Sequence, residues 1–311
     1  MNLRVTAQTQ TSDAISRFRQ QSSAVAKYQD WISSGLRVKK PSDDPANFAI
    51  LTRAKNEIAK LDVHTRTMTL ATSTLNAGVS ALQNANDVLV EAKQLALEGA
   101  NSTSDDPQAH QTLATQVDGL IDRMMSAGNA QENGIYLFGG TATTAPPFTV
   151  GGTTATGQPA TVVYAGSTDR ARTTIGPGQT VDTHYDGKAV FQSAGGDAFS
   201  ALIGLRDLLR STTLTGAAKN QAISRQAGTI DASRDALGDA VSEQSTSLAL
   251  MEALQTQVGD LKLAATDRAG SIEGTDYAEA IVKMNEQQSA LQATMAVSAK
   301  LFQSSFLDFI R

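Results

Sequence analysis

The chain has 311 residues, of which 41% are hydrophobic and only 5% aromatic, and its formal net charge is −5. This balance favours long helices packed through aliphatic residues over one large core rich in rings. Charges of both signs are interspersed, which argues against a nucleic-acid partner, and no run reaches the roughly 18 apolar residues of a membrane span. Cysteine is absent, which excludes disulfides, thiolate metal sites and thiol nucleophiles.

The first predicted helix runs from about Thr6 to Ser33, and Gly35 follows it as a candidate left-handed cap. Its apolar residues recur at alternating three- and four-residue steps, with Ser22 and Gln29 or Tyr28 in the gaps, and comprise Ile15, Phe18, Val25 and Ile32. Such a rhythm requires a partner helix. Trp31, the only tryptophan, is either an assembly anchor or a residue that packs the end of this helix.

The motif Ser-Asp-Asp-Pro occurs twice, at residues 42–45 and 104–107. Each copy predicts a helix start, because an aspartate accepts the free amides of the first turn and proline is tolerated at the first helical position. A metal or acid–base role for the paired carboxylates is the alternative interpretation.

Two long helical patterns follow, at about residues 50–97 and 217–269, and each carries one apolar stripe. Shorter helices are predicted from Pro107 and from Ala198. Because neither long helix can bury its stripe alone, we expect them to lie antiparallel and to form a bundle with the shorter helices.

Between Gly139 and Gly196 the composition changes: this segment holds 11 of the 24 glycines and four of the seven prolines. Short runs at residues 161–164 and 188–191 predict strands between turns. We interpret the segment as a small β-rich insertion that serves as a docking surface or a spacer; a flexible linker is the alternative.

The last predicted helix begins near Thr275-Asp276 and carries a second apolar stripe. Its members are Tyr277, Ile281, Met284, Leu291, Met295, Phe302, Phe306 and Phe309. From Met284 to Arg311 only four side chains are ionisable, which is few for a solvent-facing helix. We therefore predict an assembly interface formed by this stripe together with Ile15, Phe18, Val25, Tyr28, Trp31 and Ile32.

The predicted fold is mainly α with a β insertion: long antiparallel helical rods in a bundle, terminal coiled-coil helices and a small β-rich domain inserted mid-chain. The predicted domains are a terminal helical assembly domain (1–40 and 275–311), a rod (41–138 and 197–274) and the insertion (139–196). We expect the terminal domain to be disordered in the monomer and to fold on assembly.

Several segments resemble the flagellin superfamily. Residues 32–37, Ile-Ser-Ser-Gly-Leu-Arg, look like the segment that follows the first terminal helix of flagellins. Within that superfamily, four further parts of the chain resemble the hook-associated protein 3 group. They are residues 41–45, residues 133–140 with 146–148, and the C-terminal stretches 275–280 and 306–311.

The resemblance implies a structural subunit that joins the flagellar hook to the filament. It implies hook-associated protein 1 and flagellin as neighbours, self-association in a ring, and an export chaperone on the C-terminal helix. It also implies an extracellular flagellar location, reached through the flagellar type III system. The first residues show no cleaved secretion signal, and we expect no membrane anchor.

Three other functions compete with this interpretation. An enzyme is not expected, because the three histidines are widely scattered and no metal-ligand or phosphate-loop spacing appears; we expect no cofactor. A cytosolic coiled-coil scaffold would explain the three- and four-residue spacing of the apolar residues. It would not explain why a terminal helix, a long helix and a shorter helix precede the insertion and the same elements follow it in reverse order. The remaining alternative is a filament flagellin that polymerises on its own.

Overall fold

The computed structural model describes residues 7–101, 106–176 and 178–309, except for the side chains of residues 7, 8, 10, 11 and 300–309. Seven helices and eight short strands are described within those ranges. The helices are α1 (Ala7–Ser34), α2 (Pro45–Asn101), α3 (Pro107–Gly128), α4 (Gly187–Phe191), α5 (Ala198–Arg210), α6 (Gly216–Glu273) and α7 (Tyr277–Phe309). The strands are β1 (Gln131–Glu132), β2 (Ile135–Tyr136), β3 (Phe148–Thr153), β4 (Pro159–Tyr164), β5 (Ala171–Gly176), β6 (Gln179–His184), β7 (Gln192–Ser193) and β8 (Gly196–Asp197).

The chain forms two compact units. The first contains the chain up to Leu61 and from Asp260 onward, and the second contains Asp62–Gly259. The predicted fold class, mainly helical with long antiparallel helices and a β insertion, is confirmed. The predicted three-part division of the domains stays a prediction. None of the described helices combines the length and apolar content that a bilayer crossing requires.

Both copies of the Ser-Asp-Asp-Pro motif place an aspartate at a helix start, as predicted. The carboxylate of Asp44 accepts the backbone N–H of Asn47 at 3.1 Å, and that of Asp106 accepts the backbone N–H of Gln108 at 2.9 Å. The hydrogen bonds from Asn47 hold the pKa of the Asp44 carboxyl below its usual value. Gly35 ends α1 with φ of +70°, which confirms the predicted left-handed cap.

The long helices α2 and α6 run antiparallel in the second unit. Residues late in α2 contact residues early in α6: Lys93 binds Asp231 at 2.7 Å, whereas Thr72 binds Gln255 at 3.2 Å. Helix α3 packs against α5, and both cover the apolar stripes of the long helices. The fully buried aliphatic side chains at the centre of this bundle include Leu82, Leu89, Ile121, Leu202, Leu205, Ile223, Ile230 and Leu237.

The insertion consists of two-stranded antiparallel sheets, which pair β1 with β2, β3 with β4, β5 with β6 and β7 with β8. Its core is a cluster of aromatic rings in which Phe148 lies 4.9 Å from Phe199 of α5 and 5.3 Å from Phe191, measured between centroids. Ring packing of this kind attaches the insertion to the bundle.

Two features of this region differ from the sequence-based expectation. The predicted strand at residues 161–164 is confirmed within β4, but the one at 188–191 is wrong, because these residues form α4. The Asp186 carboxylate accepts the backbone N–H of Lys188 at 2.9 Å and starts that helix. A hairpin, β1–β2, also precedes the predicted insertion, and its turn places Asn133 and Gly134 at positive φ, a known preference of Asn-Gly hairpins.

Candidate assembly surface of the terminal helices

Helices α1 and α7 pack against each other in an antiparallel pair. Near one end, an ideal Cβ on Gly35 would lie 2.7 Å from the Tyr277 hydroxyl. Further along, the Thr294 hydroxyl lies 2.6 Å from the side-chain oxygen of Gln21. Positions in α7 therefore rise as positions in α1 fall, which brings the two predicted stripes into one helix pair.

The face of α7 that contacts α1 consists mostly of small or polar residues. Among the buried and half-buried residues of α7, six recur at four- and three-residue steps: Ala280, Met284, Gln287, Leu291, Thr294 and Ser298. Ala280, at 2% exposed, is the one buried side chain described in this helix. The heptad spacing is therefore present, but its contact positions coincide with the predicted apolar stripe only at Met284 and Leu291.

The other described members of the α7 stripe are turned away from the contact face. Tyr277 is 53% exposed, Ile281 is 43% and Met295 is 46%. These positions are separated by four and fourteen residues, so in a helix they lie along one edge beside the contact face. The side chains of Phe302, Phe306 and Phe309 lie outside the described residues.

The predicted seam of α1 is divided in the same way. Val25, Tyr28, Trp31 and Ile32 are half-buried, whereas Ile15 is 43% exposed and Phe18 is 41% exposed. No side chain described in α1 is fully buried. One helix partner therefore covers only part of each stripe.

Three of the exposed members meet at one groove of the helix pair. Ile15 and Phe18 of α1 line a shallow groove together with Met295, Ser298 and Ala299 of α7. We call the exposed residues Ile15, Phe18, Tyr277, Ile281 and Met295 the apolar flank. On a soluble protein, an apolar surface of this kind marks a site for a further partner.

Trp31 is held by neighbours within its own helix. Its ring lies 5.3 Å from that of Tyr28 in an edge-to-face arrangement, and the Lys27 ammonium lies 4.8 Å from its centroid. These contacts fix the orientation of the indole, so that it could present a rigid ring to a partner. Both interpretations of Trp31, anchor and helix-end packing, are compatible with them.

The junction at which the terminal helices meet the long helices was not predicted from the sequence. Leu36 and Gly274 form an antiparallel bridge there, and Arg37 donates to the carbonyl oxygen of Ile272 at 3.1 Å. The nearby Asp44 cap was the available local signal. The Ile272 carbonyl that Arg37 binds lies 235 residues away in the sequence, so local spacing does not predict this contact.

The described residues hold no cluster of three or more His, Asp or Glu arranged as metal ligands. The grooves between α1 and α7 are open and are lined mostly by apolar and small polar side chains, with the charged Asp13 and Arg17 beside them.

Residues 5–143 match the family model of the bacterial flagellin N-terminal helical region. Flagellar hook-associated protein 3 of Escherichia coli K12 is 27% identical over 281 residues, which cover 86% of this chain and 87% of that protein. The protein of the same name from Salmonella typhimurium is 32% identical over 130 residues, or 39% of this chain and 38% of that protein. Flagellin of Bacillus subtilis is 27% identical over 139 residues, or 43% of this chain and 46% of that protein.

Solved structures of similar fold include two called FlgL. The Bacillus cereus protein has a TM-score of 0.57 at 17% identity and covers 71% of this chain and 98% of its own. The Legionella pneumophila protein, described as a flagellar junction protein, has a TM-score of 0.58 at 13% identity and covers 72% of this chain and 100% of its own. These likenesses concern the fold.

Proposed function

We propose that this chain is a structural subunit of the bacterial flagellum, because residues 5–143 match the flagellin N-terminal helical region and the chain is similar to flagellar hook-associated protein 3. In this proposal it joins hook-associated protein 1 to the flagellin filament, and its terminal helices form the joint by coiled-coil packing. The likeness to Escherichia coli hook-associated protein 3 along 86% of the chain supports the junction role.

The observation that carries the proposal is the apolar flank. Its described residues are each more than 40% exposed although they belong to helices that are already paired. Burying the remaining surface of one such side chain contributes about 1 kcal/mol, at roughly 25 cal/mol per Å². Summed over several residues in each copy, this contribution is large enough to drive association with neighbouring helices. It is too small to hold α1 and α7 together in the absence of those neighbours.

The partners in this proposal are inferred from the likeness to flagellar hook-associated protein 3. Copies of the chain associate side by side in a ring, hook-associated protein 1 lies on one side of that ring, and flagellin lies on the other. Before assembly, a cytoplasmic chaperone covers the C-terminal helix during export through the flagellar type III system. The absence of cysteine is compatible with export as an unfolded chain, because no disulfide can form on the way.

In the free monomer we expect the terminal segments, predicted from the sequence as residues 1–40 and 275–311, to be disordered outside the backbone bridge that joins residues 35–37 to residues 273–275, and to become helical on assembly. Ordering costs about 1–2 kcal/mol per residue. A pair of narrow stripes in which none of the described α1 side chains is buried recovers little of that cost. Limited proteolysis of the monomer should therefore trim both ends first. Terminal helices that resist protease in a proven monomer would contradict this expectation.

A filament flagellin that polymerises on its own is the second candidate function. It is favoured by the matches to flagellins, which span about two fifths of this chain. Two measurements distinguish the candidates. For a junction subunit, purified protein does not form long filaments alone, and a deletion strain secretes monomeric flagellin without attached filaments. Long filaments from the purified chain would instead support a flagellin.

A further inference from the structure

The two points at which the chain passes between terminal and long helices lie side by side in the first unit. The backbone N–H of Arg37 donates to the carbonyl oxygen of Glu273 at 2.6 Å, and the backbone N–H of Thr275 donates to that of Gly35 at 3.0 Å. This short antiparallel bridge ties the exit from α1 to the entry into α7. Backbone bonds in so short a bridge open readily unless side chains support them.

The Arg37 side chain supplies that support by reaching the ends of both long helices. Its Nη2 donates to the carbonyl oxygen of Ile272, in the last turn of α6, at 3.1 Å. Its Nη1 lies 3.5 Å from Oδ2 of Asp44, which starts α2. A cation at a helix C-terminus and a carboxylate at a helix N-terminus are both stabilised by the helix dipoles.

Asp44 is itself fixed in place by α2. Its Oδ1 accepts the backbone N–H of Asn47 at 3.1 Å, and its Oδ2 accepts the Asn47 side-chain amide at 2.6 Å. The Arg37 and Asp44 side chains are 37% and 25% exposed. A second ion pair, between Lys55 of α2 and Glu273 of α6, lies at the same helix ends.

We propose that Arg37 is a positioning residue that clamps both chain crossings to the ends of α2 and α6, so that the terminal helix pair and these ends move as one body. The guanidinium suits this role because its planar fork donates in two directions at once, which an ammonium group cannot do with fixed geometry. An assembly contact made by either terminal helix is thereby transmitted to both long helices. That purpose rests on the proposed function, whereas the clamp itself does not.

Hydrogen exchange of the full chain tests the clamp at the amides of residue 37 and Thr275. Arg37→Gln removes the charged fork, and Asp44→Asn removes the charge of its partner while keeping a residue that caps helices well. Asp106→Asn is the matched control, because Asp106 caps α3 in the other copy of the same motif.

In the unaltered protein we expect both amides to be protected. Arg37→Gln and Asp44→Asn should each speed their exchange by about tenfold, because a hydrogen bond to a charged group is lost. The double variant should exchange no faster than either single variant, and Asp106→Asn should leave both amides unchanged. Arg37→Lys should behave like Arg37→Gln if the fork is required.

Three results would overturn the clamp. They are unprotected amides in the unaltered protein, wild-type exchange in Arg37→Gln, and full protection in Arg37→Lys. The positioning role is tested separately by complementing a deletion strain: Arg37→Gln should lower the fraction of cells with attached filaments, and wild-type attachment would refute that role. Failure of the unaltered chain to restore filaments would instead refute the proposed function, whatever the exchange data show.

Discussion

Tyr164 links three parts of the insertion through one hydroxyl. The phenol oxygen lies 2.8 Å from the carbonyl oxygen of Ser167 and 3.1 Å from that of Phe138, and it accepts the backbone N–H of Gly187 at 3.3 Å. Burial, together with the negative charge of Asp186, raises the pKa of Tyr164 to about 12. The neutral phenol is therefore the form that the folded insertion favours.

This raised pKa predicts a loss of stability in alkali. The unfolded chain releases the phenol proton near pH 10, whereas the folded chain retains it up to about pH 12. The stabilising contribution is thus complete below pH 10 and is lost as the pH rises from 10 to 12. Tyr164→Phe should cost about 1 kcal/mol at neutral pH and should reduce the slope of stability against pH in that window, as measured by urea titrations. An unchanged slope would contradict the assignment.

Two glycines should respond to alanine with opposite signs. Gly35 has φ of +70°, so Gly35→Ala should destabilise the first unit by about 1–2 kcal/mol through its backbone alone. Gly119 lies within α3 and an added Cβ would meet no described atom within 4 Å, so Gly119→Ala should stabilise the second unit by about 0.5–1 kcal/mol. Urea titrations followed by amide exchange report on each unit. Equal effects at the two positions would contradict the predicted cap geometry.

At the scale of the elements, the pairing of α2 with α6 contains one polar defect. Gln244 is 1% exposed, and neither its Oε1 nor its Nε2 has a hydrogen-bond partner among the described residues. An ideal Cβ on Gly78 would lie 2.6 Å from that Oε1, so the helical glycine makes room for the amide. A buried polar group without partners lowers stability.

Gln244→Leu should therefore raise the free energy of unfolding of the second unit by about 1–2 kcal/mol. Gln255→Leu is the control: its amide donates to Thr72 at 3.2 Å, and its loss should cost about 0.5–1 kcal/mol. Denaturant titrations of the two variants measure the contrast. If Gln244→Leu destabilised the protein as much as its control, the buried amide would have to be satisfied.

The same helices show what heptad spacing can and cannot predict. The bounds of the long helices were predicted to within about five residues, because caps and stripes are local signals. The contact of Gln244 with Gly78 was not predicted. These residues lie 166 positions apart, and the apolar stripe of each helix does not determine the register between the two helices. The apolar pattern of α7 likewise identified its exposed flank, whereas its contact with α1 uses Ala280, Thr294 and other residues that such a pattern does not select.

The insertion was predicted less well than the helices. Short segments give few periods to read, so the run at 188–191 suggested a strand although Asp186 starts a helix there. The Asn133-Gly134 hairpin carried a usable signal in its turn residues. The attachment of β3 to the helical bundle rests on aromatic contacts such as Phe148 with Phe199 of α5, which join residues from separate segments and have no local signature.

At the scale of the whole molecule, helices α1 and α7 come from opposite ends of the sequence, and each covers only part of the apolar stripe of the other. The sequence predicted that these ends carry stripes that need partners. The structure adds that each stripe is split between a contact face and the apolar flank. We therefore predict that the apolar flank, and not the whole circumference of the helices, determines attachment to other subunits.

Two adjacent residues of α7 test this claim most directly. Ile281 belongs to the flank and is 43% exposed, whereas Val282 is 55% exposed and lies about 100° further around the helix. In a deletion strain, electron microscopy should show that Ile281→Ser lowers the fraction of cells with attached filaments, because each assembled copy loses about 1 kcal/mol of apolar burial. Val282→Ser should leave attachment near the wild-type level, and neither change should alter the stability of the monomer. Equal attachment in the two variants, whether normal or lost, would contradict the account.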